Sequence, residues 1–295
     1  MTAPILADAL GPRARRRVRL LSVVAGAALA AVLAFAVNRL ADKGQLDWER
    51  WEPLTRWSVL KFLLGGLGQT IKAAGAGMAA AVVLGAALAL LRLSRAAPVR
   101  WLATAWVEFF RGVPLLLLIF FTFFALPKYG IDMSPYRALV LALAVYNGAV
   151  LGEIFRAGIL SLDRGQTEAA YAIGLGYWQA MLLVIIPQAL RRMVPAIISQ
   201  LITLLKDTSL GYVITYEELL RRSRINGEFF KNPLQTTVFV ALVYIVVNLT
   251  LSRIAHRLEV RQRRRLGAGR ITVGGVEDLA TAGIAAEAKV RSPGG

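Results

Sequence analysis

Charged and hydroxyl side chains stand next to apolar stretches of this sequence, where they could bind a small polar solute. The clearest set is Lys206, Asp207, Thr208 and Ser209. Lys206 and the two hydroxyl groups could hold a carboxylate, and Asp207 could hold an ammonium group. Together the four residues could therefore bind a zwitterion. Pro195 in the preceding uncharged run predicts a short or broken helix, which would expose backbone dipoles beside such a site.

Two pairs of opposite charge lie three residues apart, Glu108 with Arg111 and Glu153 with Arg156. On a helix this spacing allows an ion pair. We predict that both pairs neutralise themselves and either hold helices together or seat a gate. Direct contact with a charged group of the solute is the alternative, because ionisable residues in a membrane usually face the bundle interior or a water-filled path.

The sequence contains no pattern for catalysis or for metal binding. It has no cysteine and a single histidine, so neither thiol chemistry nor a cluster of soft metal ligands is expected. It also has no Gly-Lys dipeptide, which excludes the phosphate loop of the G-x4-G-K-[ST] type. We therefore assign no catalytic residue and no metal ligand to this chain.

Membrane-spanning helices must position these charged residues, because the composition excludes an ordinary soluble domain. The chain is 57% hydrophobic with a mean hydropathy of +0.56. Several uncharged runs approach the roughly 20 residues that span a hydrocarbon core. The sequence predicts an all-α polytopic protein with about six transmembrane helices. Their predicted ranges are 19–38, 68–91, 103–126, 137–158, 188–206 and 234–254.

The net charge of +17 is informative mainly through its distribution. In a soluble protein it would suggest nucleic acid, but here the basic residues cluster at the predicted membrane boundaries. We therefore expect no nucleic-acid partner. With both termini in the cytoplasm, the cytoplasmic segments hold the larger share of the 35 Lys and Arg residues, as the positive-inside rule requires. We predict a multi-pass plasma-membrane protein whose basic ends favour anionic lipid.

The pattern of charge and hydropathy divides the chain into five segments. They are a cytoplasmic basic arm (1–19), an extra N-terminal transmembrane helix (20–38), an external loop (39–64), the main helical domain (65–258) and a tail predicted to be disordered (259–295). Residues 20–37 could instead belong to a cleaved signal peptide, because Ala34-Phe35-Ala36 matches an A-x-A site. We favour an uncleaved helix, since this apolar run is longer than that of a usual signal peptide.

A polar loop at 161–187, between the fourth and fifth predicted helices, carries the motif EAA-x3-G-x9-I-x-L-P. Glu168, Ala169 and Ala170 fill its first positions, and Gly174 and Pro187 fill the glycine and proline positions. Alanines favour a helix and let a partner surface approach closely. Gly174 allows a sharp turn after that helix, and Pro187 suits the first turn of the next one.

The start of the loop helix has two candidate caps, Ser161 and Thr167. With either cap near its start, Glu168 would lie in the first turn, where the helix dipole favours a negative charge. An ordinary amphipathic loop is the alternative interpretation. The length of the motif and its position between two predicted helices, on the predicted cytoplasmic side, argue against it.

The loop resembles the cytoplasmic signature of permease subunits of ABC importers, with Val184 and Ile186 in place of the usual Ile and Leu. Three more stretches resemble signatures of polar-amino-acid importers, namely Val107–Leu118, Tyr146–Ala170 and Pro187–Ile214. Over about 65–258 the chain is similar to the histidine/glutamate/glutamine/arginine class of type I ABC importer permeases. Within that class it most resembles actinobacterial glutamate-uptake permeases.

This resemblance implies the fold of a type I ABC importer transmembrane domain with a cytoplasmic coupling helix. The coupling residues would be Gly165, Glu168, Ala169, Ala170 and Gly174. The implied partners are ABC ATPase subunits that bind ATP and Mg²⁺, an external amino-acid-binding protein, and a second permease subunit, which is either this chain again or a similar one.

Glutamate is the expected substrate, while glutamine, aspartate and basic amino acids stay open. The polar segment Tyr216–Asn232 would be a contact surface for the binding protein, or else a plain solvated helix. A stand-alone secondary transporter is the competing class of protein, and it leaves the EAA loop unexplained.

Overall fold

The computed structural model describes residues 11–267, and within this range the chain is helical almost throughout. Short 3₁₀ and π segments join several of the helices, and residues 11–267 contain no β-strand. The predicted all-α class is therefore confirmed. The α-helices, in chain order, are α1 (Pro12–Asp42), α2 (Trp48–Trp51), α3 (Trp57–Arg92), α4 (Ala97–Gly112), α5 (Leu115–Phe120), α6 (Pro135–Leu160), α7 (Arg164–Ala172), α8 (Tyr177–Ala180), α9 (Ile186–Asp207), α10 (Leu219–Phe229) and α11 (Pro233–Gly267).

The expected number of membrane crossings agrees with the lengths and hydropathies of these helices. Five helical segments of the described chain are long and apolar enough to cross a membrane, and α4 with α5 would make a sixth if the two form one span. The five are Arg13–Asp42, Trp57–Arg92, Pro135–Leu160, Tyr177–Ile214 and Pro233–Ala255.

The prediction of one continuous helix at 103–126 is wrong. Its residues belong to α4 and to the segment that starts with α5, and these two meet at an angle of 99°. The break falls at Val113, whose backbone is extended (φ −80°, ψ 129°), directly before Pro114. A proline disfavours the helical conformation of the residue before it and has no N–H to donate. The bend therefore follows from the Val113–Pro114 dipeptide.

The segment boundaries also differ from those expected. Helix α1 begins at Pro12, so residues 12–19 of the predicted basic arm are helical, with a proline in the first turn. The predicted external loop at 39–64 contains α2, a 3₁₀ turn and the first turns of α3. Helix α11 continues to Gly267, because arginine and glutamine are good helix formers. The rest of the predicted tail, 268–295, and residues 1–10 lie outside the described range.

Helices α3 and α6 form the centre of the bundle and run parallel to each other. They approach closely at Gly85, where an added Cβ would lie 2.8 Å from the Leu151 Cβ and 3.0 Å from the Gly148 carbonyl oxygen. Small residues allow such close contact between helix backbones in a membrane. Helix α9 packs against α6 in the opposite direction, and its Met193 fills the space beside Gly158. These three helices position most of the residues discussed below.

The bundle has two ends, which we call the α7 end and the α10 end. At the α10 end, the Thr70 hydroxyl of α3 accepts a hydrogen bond from the Leu219 backbone N–H of α10 at 3.2 Å. At the α7 end, the Arg192 guanidinium of α9 donates to the carbonyl oxygen of Ser161 at 2.7 Å. Helices α3 and α6 run from the α10 end to the α7 end.

Helix α1 stands apart from the bundle, because none of the residues in its apolar window is buried. The segment that follows α1 is nevertheless attached to the α10 end. The side-chain amide of Gln235 donates to the Gln45 carbonyl oxygen at 2.5 Å, and that of Asn232 donates to the Arg50 carbonyl oxygen at 2.8 Å. These contacts fix one end of α1 and leave its apolar length exposed to the surroundings.

Candidate functional site

The EAA residues lie on the separate helix α7. Its N-cap is Asp163, whose carboxylate accepts a hydrogen bond from the Gly165 backbone N–H at 2.8 Å. The predicted caps are therefore wrong, since Ser161 ends α6 and Thr167 lies within α7. Because the helix starts at Arg164, Glu168 lies in its middle and not in its first turn. The helix dipole therefore does not stabilise the negative charge of Glu168.

The chain leaves α7 through a glycine turn, as the sequence predicted. Gly174 has a φ of 85°, which only glycine adopts without strain. Gly176 then caps α8, and the Gln179 side chain accepts the Gly176 N–H at 2.9 Å. This pair of turns separates α7 from the long helical segment that follows.

Pro187 lies in the first turn of α9, as predicted, but no loop precedes it. The chain is continuously helical from Tyr177 to Ile214, and a π turn at Met181–Ile185 comes directly before α9. In a π turn the backbone hydrogen bonds join residues five apart and not four apart. This change of partners accommodates the proline that follows, which has no N–H to donate. A second π turn, Phe121–Ala125, lies just before Pro127 in the same way.

Helix α7 presents most of its predicted coupling residues on the surface. Gly165, Glu168, Ala169 and Gly174 are exposed, whereas Ala170 is buried beneath the helix. Tyr171 and Ile173 are also exposed, and Ile173 is 76% accessible. Helix α7 and the turn after it thus present both polar and apolar side chains on the surface.

Two hydrogen bonds fix α7 and its flanking turn to α9. The Gln188 side chain donates to the Gln166 side chain at 2.9 Å, and Arg192 donates to the Ser161 carbonyl oxygen at 2.7 Å. A force on α7 would therefore reach α9 through side chains that are only one helical turn apart.

The expected contact between Glu153 and Arg156 is present, with 3.5 Å between the carboxylate and the guanidinium. The structure adds a residue that the sequence analysis missed. Arg92, the last residue of α3, forms an ion pair with the other carboxylate oxygen of Glu153. Its Nε also donates to the Thr104 hydroxyl of α4 at 3.3 Å. This cluster joins α3, α4 and α6 at the α7 end.

Within residues 11–267, Glu108 and Arg111 do not form the expected ion pair. Both residues are exposed on α4. Exposed ion pairs contribute little to stability, so water competes well for both side chains. Arg111 also lies in the last turn of α4, where the free carbonyl groups favour a positive charge.

The four residues Lys206–Ser209 do not face one common site. Lys206 and Ser209 line a cavity of about 400 Å³ next to α11, which Asp207 and Thr208 do not line. The hydroxyls of Thr208 and Ser209 donate to carbonyl oxygens three residues earlier, at 2.6 Å and 2.7 Å. Consecutive residues of a helix point in different directions, so the four side chains cannot converge on one solute.

The predicted break at Pro195 is also absent, because α9 continues through this residue to Asp207. The helix instead changes to a 3₁₀ segment at Thr208–Ile214. The local irregularity therefore follows the charged pair Lys206–Asp207 and does not precede it.

A polar stripe along α9 was missed by the sequence analysis. Ser199, Thr203 and Lys206 are exposed and recur at helical spacing on one face. Beside this stripe, the Gln200 side chain donates to Asn147 at 2.6 Å, and Asn147 is fully buried in α6. The sequence carries this signal as polar residues at intervals of three and four, upstream of the four residues Lys206–Ser209 on which the prediction was based.

The comparisons with known proteins agree with this architecture. Residues 81–264 match the family described as the binding-protein-dependent transport system inner membrane component. Over 237 residues the chain is 39% identical to the glutamate transport system permease protein GluD of Corynebacterium glutamicum, covering 78% of this chain and 85% of GluD. It is 44% identical over 206 residues to the probable glutamine ABC transporter permease protein GlnP of Bacillus subtilis, covering 69% and 94%.

A solved structure supports the same assignment. The crystal structure of an amino acid ABC transporter with histidines superposes with a TM-score of 0.67 at 30% identity, covering 72% of this chain and 98% of that chain. The chain therefore belongs to the family of inner-membrane components of binding-protein-dependent transport systems, as a multi-pass permease subunit of an ABC importer for amino acids.

Proposed function

We propose that this chain forms the membrane path of an ATP-driven importer for glutamate, and that separate ABC ATPase subunits bind Mg²⁺ and hydrolyse the ATP. The observation that carries this proposal is the 39% identity to the glutamate permease GluD over most of both chains. The exposed helix α7 adds a physical reason to expect an ATPase, since its motif and its surface suit a partner protein.

The proposed orientation places the α7 end in the cytoplasm and the α10 end outside. The basic residues at the start of α1 support it, because Lys and Arg favour the cytoplasmic side of a membrane. Both termini are then cytoplasmic. The exposed charges of α10, such as Arg224 and Glu228, face an external amino-acid-binding protein. A second permease subunit, either this chain or a similar one, completes the path.

In the proposed mechanism, Gly165, Glu168, Ala169 and Gly174 contact the ATPase, and Ala170 packs α7 against the bundle. Movement of the ATPase shifts α7, and the contacts of Gln166 with Gln188 and of Ser161 with Arg192 pass this shift to α9. The ion-pair cluster around Glu153 acts as part of the gate at the cytoplasmic side, because it holds α3 and α6 together. The exposed pair Glu108 and Arg111 borders the same region.

The substrate path in this proposal follows the polar face of α9. Lys206 lies on this face, and it is exposed and available to a substrate carboxylate. Asp207 does not line the cavity beside Lys206, so we propose that it contacts the ammonium group at a separate point along the path. The hydroxyls of Thr208 and Ser209 already bond to the helix, so they shape the path and leave solute binding to Lys206 and Asp207.

Glutamine import is the second candidate function. It is favoured by the 44% identity to the glutamine permease GlnP, over a shorter part of this chain. Glutamate and glutamine differ by one side-chain charge, and an external binding protein would make much of this distinction.

Uptake of radiolabelled glutamate, glutamine, arginine and histidine tests the proposal in cells that lack this chain and in cells that regain it. We expect glutamate uptake to be lost on deletion, restored by the unaltered gene and not restored by Glu168→Arg. Glu49→Arg is the matched control, because it reverses the charge of an exposed glutamate on α2, at the other end of the bundle.

Loss of glutamine uptake alone would replace glutamate by the second candidate. Full rescue by Glu168→Arg would contradict coupling through α7. If uptake persisted after depletion of cellular ATP while the membrane potential was maintained, the chain would instead act as a secondary transporter.

A further inference from the structure

An open groove of about 610 Å³ lies between the last turns of α3 and the start of α8. Aliphatic residues of α3 form one wall, namely Ala87, Leu90 and Leu91, and the aromatic rings of Tyr177 and Trp178 form the other. Leu90, Leu91 and Trp178 are exposed, and Trp178 is 62% accessible. The groove is thus a largely apolar, partly open slot that no other part of residues 11–267 fills.

The groove is polar at one end only. Ser94 and Arg95 close that end, and the Arg95 guanidinium lies 5.6 Å from the centre of the Tyr177 ring. Arg100 lies nearby but does not line the groove, and its guanidinium donates to the Ser94 carbonyl oxygen at 3.3 Å. Among the described residues, neither arginine has an ion-pair partner, so this end carries a net positive charge.

The position of the groove relative to the membrane restricts what can fill it. The uncharged run Ala73–Leu91 forms the last part of α3, which ends at Arg92, and the next helical segment long and apolar enough to cross a membrane begins at Tyr177. The aliphatic wall therefore lies at the depth of the hydrocarbon, while Ser94 and Arg95 lie just beyond it. A soluble partner protein cannot reach Ala87 at that depth, and a wholly apolar ligand would leave the positive end without a counter-ion.

We propose that this groove binds an anionic phospholipid, with an acyl chain along α3 and the phosphate at Arg95. Basic pockets between transmembrane helices bind anionic headgroups in this way, and tryptophan and tyrosine are favoured at the level of the headgroups. The bound lipid would join α3 to α8, the helix that directly follows the glycine turn of the EAA loop. This inference does not depend on which solute is transported.

Fluorescence quenching by brominated phospholipids tests the site in the full-length protein, reconstituted with the subunits that purify with it. Bromine on an acyl chain quenches only tryptophans that it touches. The contribution of Trp178 is the difference in quenching between the unaltered protein and Trp178→Phe. Phenylalanine is chosen because it keeps an aromatic ring on that wall of the groove. We expect brominated phosphatidylglycerol to occupy the groove about five times more readily than brominated phosphatidylcholine, from one favourable charge contact.

Three variants separate the groove from general surface charge. Arg95→Gln should abolish this preference, and Arg95→Lys should keep it, because lysine retains the charge. Arg17→Gln removes the same charge from the basic start of α1, away from the groove, and should also keep the preference.

Equal quenching by the two lipids in the unaltered protein would overturn the proposal. So would a preference that survives Arg95→Gln. Absence of any Trp178-dependent quenching would overturn it as well, because the groove would then be closed to lipid.

Discussion

The hydroxyl of Tyr244 donates a hydrogen bond to the carboxyl group of Glu218 at 3.0 Å, and this contact ties α11 to the first turn of α10. Glu218 is fully buried and is also the N-cap of α10. Its two carboxyl oxygens accept the backbone N–H groups of Leu220 and Arg221 at 2.8 Å and 2.7 Å. One side chain therefore both starts the helix and attaches it to the bundle.

The stability of the α10 end should depend on pH through Glu218. Burial raises the pKa of Glu218 from its ordinary value of 4.5 to about 7, although its hydrogen bonds act in the opposite direction. Between pH 4.5 and 7 the unfolded chain releases this proton while the folded chain retains it. The free energy of unfolding should therefore fall by about 3 kcal/mol as pH rises through this window.

Melting temperatures of the reconstituted protein between pH 4 and pH 8, sampled in about half-unit steps, check this pH dependence. In Glu218→Gln the fall between pH 4.5 and 7 should be much smaller, because the titrating group is gone. Glu217→Gln is the matched control, since Glu217 is the exposed neighbour, and it should melt like the unaltered protein at every pH. An unchanged pH profile in Glu218→Gln would show that other groups cause the dependence.

A single methyl group at Gly85 should separate α3 from α6. In Gly85→Ala the new Cβ would lie 2.8 Å from Leu151 Cβ and 3.0 Å from a backbone oxygen, so the helices must move apart. We expect a loss of stability of about 1–3 kcal/mol, measured as a lower melting temperature. Gly75→Ala, on the same helix with nothing within 4 Å, should be neutral or slightly stabilising. Equal effects of the two changes would contradict close packing at Gly85.

Removal of Arg92 should weaken the contact between α3 and α6 at the α7 end. Arg92→Ala leaves the Glu153 carboxylate with Arg156 as its remaining partner. Because Glu153 is about one third exposed, water weakens this ion pair. We therefore expect the free energy of unfolding to fall by about 1–3 kcal/mol, less than for a fully buried pair. In Arg56→Ala, which breaks the exposed ion pair with Glu52, the melting temperature should not change measurably. If Arg92→Ala also had no effect, the Glu153 cluster would not hold the helices together.

Substitution of Lys206 and Asp207 should reduce transport without preventing assembly. Loss of a charged hydrogen bond to the substrate predicts about tenfold lower glutamate uptake in Lys206→Ala. Asp207→Asn should also lower uptake, through the ammonium group. Lys61→Ala is the control, because Lys61 is an exposed lysine on α3. Membrane extracts should contain equal amounts of the assembled complex in every case, and normal uptake in both variants would exclude these residues from the path.

The sequence by itself determined the elements whose signals are local. Apolar runs predicted the membrane helices, since burial of about 20 residues in hydrocarbon needs no knowledge of the neighbours. The turn at Gly174 and the approach of Glu153 to Arg156 followed from spacing within a few residues. The bend before Pro114 had an equally local signal, but the continuous apolar run across it favoured a single helix.

Only the tertiary structure decided which distant residues meet. Arg92 and Glu153 are 61 positions apart, and Glu218 and Tyr244 are 26 apart, so no spacing rule connects them. The four residues at Lys206–Ser209 show the converse. They are adjacent in sequence, yet the rotation of about 100° per residue along a helix directs their side chains to different surroundings. Packing of separate helices, and not proximity along the chain, sets the composition of each site in this protein.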